Sequence, residues 1–85
     1  MANYNDMVIA DSGSSTTSNY EKGEWLTVNG SHSNSKVSIW NRIDVAKTGK
    51  QENSGSLDVG SSFNVAGEFV NTATGTLDAS KVENT

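Results

Sequence analysis

His32 is the one side chain that could act as a general base near neutral pH, because the 85 residues contain a single histidine and no cysteine. A Ser-His-acid triad needs an oriented base beside a nucleophile that is held on a defined turn. His32 stands instead in a run of serine and asparagine (SHSNS, residues 31–35), and no Gly-x-Ser-x-Gly motif is present. We therefore expect a solvated loop histidine and no enzymatic activity.

Two aspartates twenty residues apart, Asp58 and Asp78, form the second set of residues that could do chemistry. Stacked carboxylates could share a Ca²⁺ ion, or act as the acid and the nucleophile of a glycosidase. The Gly-Gly-x-Gly-x-Asp nonapeptide of calcium-binding β-rolls is missing from the sequence. Hydrated carboxylates are the ordinary state of aspartate, so we expect solvated acids with neither a metal ion nor a cofactor.

Aromatic side chains offer a third kind of contact. Trp25, Trp40 and Tyr20 are expected at or near the surface, where an aromatic ring can stack on a sugar or enter a partner protein. Trp40 takes the place that Gly60 and Ser80 take in the later repeats, which is a corner position rather than a core position. The alternative is that both tryptophans close the open end of the fold as a cap.

The elements that must position these residues repeat every twenty residues. The triplet VSI at 37–39 returns as LDV at 57–59 and as LDA at 77–79, and IDVA at 43–46 returns as FNVA at 63–66. Each triplet has apolar side chains two residues apart, which is the periodicity of a β-strand. A fixed period with strand-like alternation inside each unit is typical of a solenoid with stacked turns.

The predicted fold is therefore all-β, a parallel β-helix with rungs of about 20 residues. Residues 36–85 form the repeat region, which stops inside a rung and so resembles an excised piece, and residues 1–35 form an irregular N-terminal cap or first turn. Asp11 to Lys22 is rich in serine and threonine and is expected to be a loop.

Alternation also assigns the two faces of each strand. The side chains expected inside are those of Val37, Ile39, Ile43, Val45, Leu57, Val59, Phe63, Val65, Leu77 and Ala79. Two columns are expected outside, one of Ser38, Asp58 and Asp78 and one of Asp44, Asn64 and Asn84. Asn64 and Asn84 are also expected to extend an amide ladder along the column.

Composition favours the same architecture and excludes several partners. The hydrophobic fraction is 33%, too low for an ordinary globular core but sufficient for a narrow solenoid column. A net charge of −4 argues against nucleic acids and anionic membrane surfaces as partners. No run of eighteen apolar residues is present, so we expect no membrane insertion.

Three segments share a short sequence motif: residues 53–59 (NSGSLDV), 71–79 (NTATGTLDA) and 82–85 (VENT). They resemble the passenger regions of bacterial autotransporters and filamentous-haemagglutinin-like exoproteins, in which similar motifs recur along parallel β-helices. The resemblance covers about the last forty residues and does not extend to residues 1–35. It implies an extracellular or cell-surface stalk that contacts a host glycan or protein, or further copies of itself.

Two other functions are compatible with the sequence. A small β-sandwich could bind carbohydrate through Trp25 and Trp40, in which case its strands would pair antiparallel. A fragment of a polysaccharide-degrading enzyme is the weaker alternative, because it depends on fold analogy alone.

Overall fold

The computed structural model describes residues 2–3, 5–17 and 19–84, with residues 2 and 3 described by their backbone only. The strands are β1 Ala2–Asn3, β2 Asp6–Ile9, β3 Ser14–Thr17, β4 Tyr20–Val28, β5 Ser31–Asn34, β6 Val37–Val45, β7 Lys50–Asn53, β8 Ser56–Val65, β9 Glu68–Asn71, β10 Thr76–Ala79 and β11 Val82–Asn84. Every pairing between described strands is parallel. The chain is a β-solenoid of about 4 turns, which confirms the predicted fold class.

Each turn of the solenoid consists of one long bent strand followed by one strand of four residues. The long strands β4, β6 and β8 stack at the centre of one sheet, and β3, β5, β7 and β9 stack in that order to form the other. The two halves of β8 pair with different strands, β10 and β11, and the two halves of β4 pair with β1 and β2. The long strands therefore supply two walls of the column, and the short strands supply the third.

The step between turns is not constant, and this changes which side chains face inward. Leu57 pairs with Leu77, twenty residues later, as the repeat predicts. Between β6 and β8, however, the register shifts at the bend, so that Trp40 pairs with Val59 only nineteen residues later, whereas Ile43 pairs with Phe63. A shift of one residue exchanges the two faces of a strand.

The first half of β6 was consequently assigned to the wrong faces. Val37 and Ile39 point outward and are half-buried, although both were expected in the core. Ser38 and Trp40 point inward and are 0% and 1% exposed. The outer partner of Asp58 on β6 is therefore Ile39, and Ser38 does not belong to that outer column.

The stretch from Asp11 to Lys22 is not a loop, and that prediction is wrong. β3 occupies Ser14–Thr17 and pairs with β5, and β4 begins at Tyr20. The step here is seventeen residues, as Leu26 pairs with Ile43, so the twenty-residue period does not reveal these turns. The division of the chain at residue 35 stays a prediction, although the same two sheets run across it.

The apolar core lies between the two walls that the long strands form. Its buried members are Ile9, Leu26, Val28, Trp40, Ile43, Val45, Leu57, Val59, Phe63 and Val65, and Met7, Phe69, Leu77 and Ala79 pack against them. Six of the residues predicted to point inward are thus buried, and Leu77 and Ala79 are partly buried because they lie on the last turn. Among the described residues there is no helix that is long and apolar enough to span a bilayer.

Candidate functional site

The third wall of the column is lined mainly by polar side chains. Along β5 and β7 the residues that alternate inward are His32, Asn34, Gln51 and Asn53, and each of them is at most 2% exposed. The prediction of a solvated His32 is therefore wrong. His32 lies in a strand, and its register places it above Ser15 and below Gln51.

Glu21 is the centre of a buried hydrogen-bond network that crosses the column. Its Oε1 accepts hydrogen bonds from His32 Nε2 at 2.7 Å, from Ser38 Oγ at 2.7 Å and from Thr17 Oγ1 at 2.8 Å. The four residues come from four strands of successive turns, β3, β4, β5 and β6. Glu21 is 4% exposed, so its carboxylate has exchanged water for these donors.

Both ring nitrogens of His32 face acceptors. Nε2 lies against the carboxylate of Glu21, and Nδ1 lies 2.8 Å from Gln51 Oε1. The amide nitrogen of Gln51 donates to the carbonyl of Glu52, which fixes the oxygen towards the imidazole. The ring donates on both sides only in its imidazolium form, and in that form His32 makes an ion pair with Glu21 inside the fold.

The environment of Glu21 favours its ionised form. Burial raises the pKa of this carboxyl, but hydrogen bonds from His32, Ser38 and Thr17 and the charge of His32 outweigh it, and the pKa falls to about 2. The carboxylate is therefore charged throughout the physiological pH range. It joins three turns of the solenoid, because Thr17 lies on the turn before Glu21, His32 on the same turn and Ser38 on the turn after it.

Serine, histidine and glutamate are thus gathered in one place, but in the wrong order for nucleophilic catalysis. Ser38 donates to Glu21 and accepts from Trp40 Nε1 at 2.8 Å, so its partners are a carboxylate and an indole rather than His32. Ser38 and His32 are both 0% exposed. In this arrangement the carboxylate binds the histidine and the serine together and supports the fold.

Trp40 was expected at the surface, and this placement is wrong. The register shift at the bend turns Trp40 into the column, where it is 1% exposed and packs in the apolar core. Its indole lies directly over Gly23 of the preceding turn. A Cβ atom built on Gly23 would lie 2.2 Å from the Trp40 ring, so the packing requires a residue without a side chain.

We expect Gly23→Ala to destabilise the protein by about 2 kcal/mol, since overpacking a well-filled site forces side chains off their rotamers. The displaced indole would also lose its bond to Ser38. Urea unfolding followed by circular dichroism measures this change. Gly60→Ala is the matched control, because a Cβ on Gly60 meets its nearest atom, Asn41 Oδ1, at 3.5 Å. Equal stability of the two variants would contradict the close packing of Trp40.

Trp25 lies on the outer face of β4 and is 42% exposed. The guanidinium of Arg42 lies 4.6 Å from the centre of the Trp25 ring. The indole Nε1 of Trp25 donates to Asp44 Oδ2 at 2.9 Å. Asp44 also accepts a hydrogen bond from Asn64 at 2.7 Å. Tyr20, at the start of β4, is half-buried. A ligand contact by Trp25 or Tyr20 stays a prediction.

The two outer columns, one through Asp58 and one through Asp44, were predicted correctly in part. Asp58 pairs with Asp78, and Asp44 with Asn64, but Asn64 continues to Glu83 rather than to Asn84. Burial raises the pKa of Asp44, but the hydrogen bonds from Asn64, Arg42 and Trp25 outweigh burial, and the pKa lies below its ordinary value. Within residues 5–17 and 19–84 no three histidine, cysteine or acidic side chains are grouped to hold a metal ion.

An amide ladder is present, but on the third wall and inside the column. Asn34 Nδ2 donates to Asn53 Oδ1 at 2.8 Å, and Asn53 Nδ2 donates to Asn71 Oδ1 at 2.9 Å. The same amide nitrogens donate to the carbonyls of Ser56 and Thr76, where the next strand begins. The ladder predicted for Asn64 and Asn84 is not formed, because Asn84 pairs with Val65.

Comparisons with known proteins give no further assignment. No family model, no curated protein and no solved structure matches the chain.

Proposed function

We propose that this chain is a structural segment of a secreted or surface-displayed β-solenoid, and that it associates with further β-solenoid turns, including copies of itself, through its C-terminal end. The proposed role is that of a stalk or adhesive segment. Its location outside the cell and its bacterial origin rest on the resemblance to passenger β-helices and on the Ser/Thr/Asn/Gly-rich composition.

The observation that carries the proposal is the incomplete burial of the last turn. Val82 pairs with Phe63, yet Phe63 is 0% exposed and Val82 is 53% exposed. Leu77 likewise is only partly buried, above a fully buried Leu57. Val82 and Leu77 are thus exposed in the way that Phe63 and Leu57 would be if the turn that covers them were removed.

The exposed end has the shape of an acceptor for another strand. A groove of about 340 Å³ lies between the half-buried Phe69 and the exposed Val82, with Gly67 and Asn84 at its sides. One edge of each of β9, β10 and β11 carries no further described strand. An open edge beside an exposed apolar column end is a template for parallel strand addition.

The two ends of the column differ. In the first turn, Ile9 and Thr17 are 6% and 3% exposed, which is close to the burial of interior turns. The C-terminal end is therefore the end at which an added turn would remove the most apolar surface from water, and burial of apolar surface drives association.

Val82→Lys tests this end directly. We expect the wild-type chain to form dimers or longer assemblies as its concentration rises, and the lysine to raise the dissociation constant by at least ~10-fold, because a buried unpaired charge is costly. Sedimentation velocity over a range of concentrations measures both. Val82 is already half exposed, so the substitution leaves the monomer folded.

Ser61→Lys is the control, since it adds the same charge at an exposed bend on an interior strand. We expect it to associate like the wild type. A wild-type chain that stays monomeric at the highest concentration would overturn the proposal, as would association that Val82→Lys and Ser61→Lys weaken equally.

A further inference from the structure

The bend of the long strands forms an outer groove that the packing of the fold does not explain. Its volume is about 360 Å³, within the range of small-molecule sites. Three stacked strands line it: β4 by residues 22–24, β6 by residues 39–41 and β8 by Asp58 and Gly60. Because neighbouring strands are about 4.8 Å apart, the groove runs about 10 Å along the column.

Four polar side chains surround the groove: Lys22, Glu24, Asn41 and Asp58. In the neighbouring cluster around Asp44, by contrast, the charged and amide groups of Arg42, Asp44 and Asn64 are engaged with one another. The four groove side chains make neither a hydrogen bond nor an ion pair with any described residue. Donors and acceptors thus stand together around one concavity, and all of them are free to bind a ligand.

We propose that this groove binds a neutral saccharide of about two sugar rings. The carboxylates of Glu24 and Asp58 accept hydrogen bonds from sugar hydroxyls, and the ammonium of Lys22 donates to them. The half-buried side chain of Ile39 offers an apolar wall for the C–H face of a ring. Trp25, the chain neighbour of Glu24, is exposed but does not line the groove.

The charges of the groove argue against other classes of ligand. Two carboxylates repel phosphate and other anions. They are also too few for a divalent cation, which needs more oxygen ligands than Glu24 and Asp58 supply, and Lys22 would oppose its binding. A basic peptide could pair with the carboxylates, but it would meet the same lysine. A neutral ligand with many hydroxyl groups uses all of the free groups without leaving a charge unpaired.

NMR titration of the ¹⁵N-labelled chain with cellobiose, maltose, lactose and diacetylchitobiose tests the proposal. We expect at least one disaccharide to shift the amide signals of Gly23, Asn41 and Gly60 saturably. Asp58→Asn should weaken that binding at least ~10-fold, as expected for loss of a charge-assisted hydrogen bond. Gly60→Gln should weaken it as well by filling the groove, where a side chain has room to start.

Asp78→Asn is the matched control, because Asp78 is the partner of Asp58 on the next strand and carries the same charge outside the groove. We expect it to bind the sugar as the wild type does. Binding of none of the four sugars overturns the proposal, and so does binding that Asp58→Asn and Asp78→Asn weaken equally. A basic peptide that binds in their place, with affinity that falls steeply with salt, would identify the surface as a cation-binding face instead.

Discussion

Replacing Glu21 by glutamine is expected to lower the free energy of unfolding by about 3 kcal/mol at pH 7. This loss corresponds to a pKa held at about 2 in the folded chain, against 4.5 for a free glutamate. Glutamine keeps an acceptor oxygen but loses the charge that faces His32, and its NH₂ group faces donors. A domain of this size is stable by only ~5–15 kcal/mol, so the loss is a large fraction of the total.

Urea unfolding measures this effect, and Glu52→Gln is its control. Glu52 makes a loose surface pair, with Lys50 Nζ at 3.9 Å from its Oε1 and a side chain that is 42% exposed. Such pairs contribute ~0–1 kcal/mol, so the control should be almost as stable as the wild type. Equal losses in the two variants would show that the Glu21 network does not stabilise the fold.

The pH dependence of the difference between wild type and Glu21→Gln provides a second signature. The folded pKa of Glu21 lies below its unfolded value, so the ionised carboxylate stabilises the protein fully above pH 4.5. That contribution is lost as the pH falls from 4.5 towards 2, and glutamine cannot show it. The two unfolding free energies should therefore converge over this window, and a constant difference would exclude a titrating Glu21 as the cause.

The fold was predictable because the repeat and the alternation of apolar residues both survive in the second half of the chain. Leu57 and Leu77, or Ile43 and Phe63, occupy equivalent places with the expected spacing. Stacked turns of one length leave this trace in a sequence. The earlier turns, with steps of seventeen and nineteen residues, leave no constant period, and so the sequence does not reveal β3 or the first part of β4 as strands.

The buried network around Glu21 could not be predicted in the same way, because it depends on which alternate residues of each strand point into the column. One residue of offset at the bend decides whether Ser38 and Trp40 or Val37 and Ile39 enter the column. Hydrophobicity favours the latter pair. The structure adopts the former because Ser38 joins the indole of Trp40 to Glu21, a residue that is seventeen positions away.

The third wall did leave a signal that hydrophobic patterning ignores. Asn34, Asn53 and Asn71 are each followed by a serine or threonine, at steps of nineteen and eighteen residues. A recurring asparagine before a short polar turn indicates a stacked amide that bonds to the next turn. Polar repeats therefore carry as much information about a solenoid as apolar ones.

Asn53→Asp is expected to destabilise the protein by about 3 kcal/mol or more at pH 7, because it buries a charge without a cation. Asn53 is 0% exposed and occupies the middle of the ladder. Its amide nitrogen donates to Asn71 Oδ1 and to the carbonyl of Thr76, both at 2.9 Å. A carboxylate has the same shape, but it turns both contacts into repulsion between lone pairs.

Asn71→Asp makes the same change at the exposed end of the ladder. Comparing the two variants therefore separates the cost of burying the charge from the cost of replacing the amide. Asn71 donates only to the carbonyl of Gly75, at 3.3 Å, and accepts from Asn53, so an aspartate there keeps the stronger bond. We expect a loss below ~1 kcal/mol in urea unfolding, typical of a weak exposed hydrogen bond. Acidification should partly restore Asn53→Asp by protonating the buried carboxylate, whereas it should not stabilise Asn71→Asp. If the two variants lost equal stability, the ladder would be a consequence of the stacked turns and not one of the interactions that hold them in register.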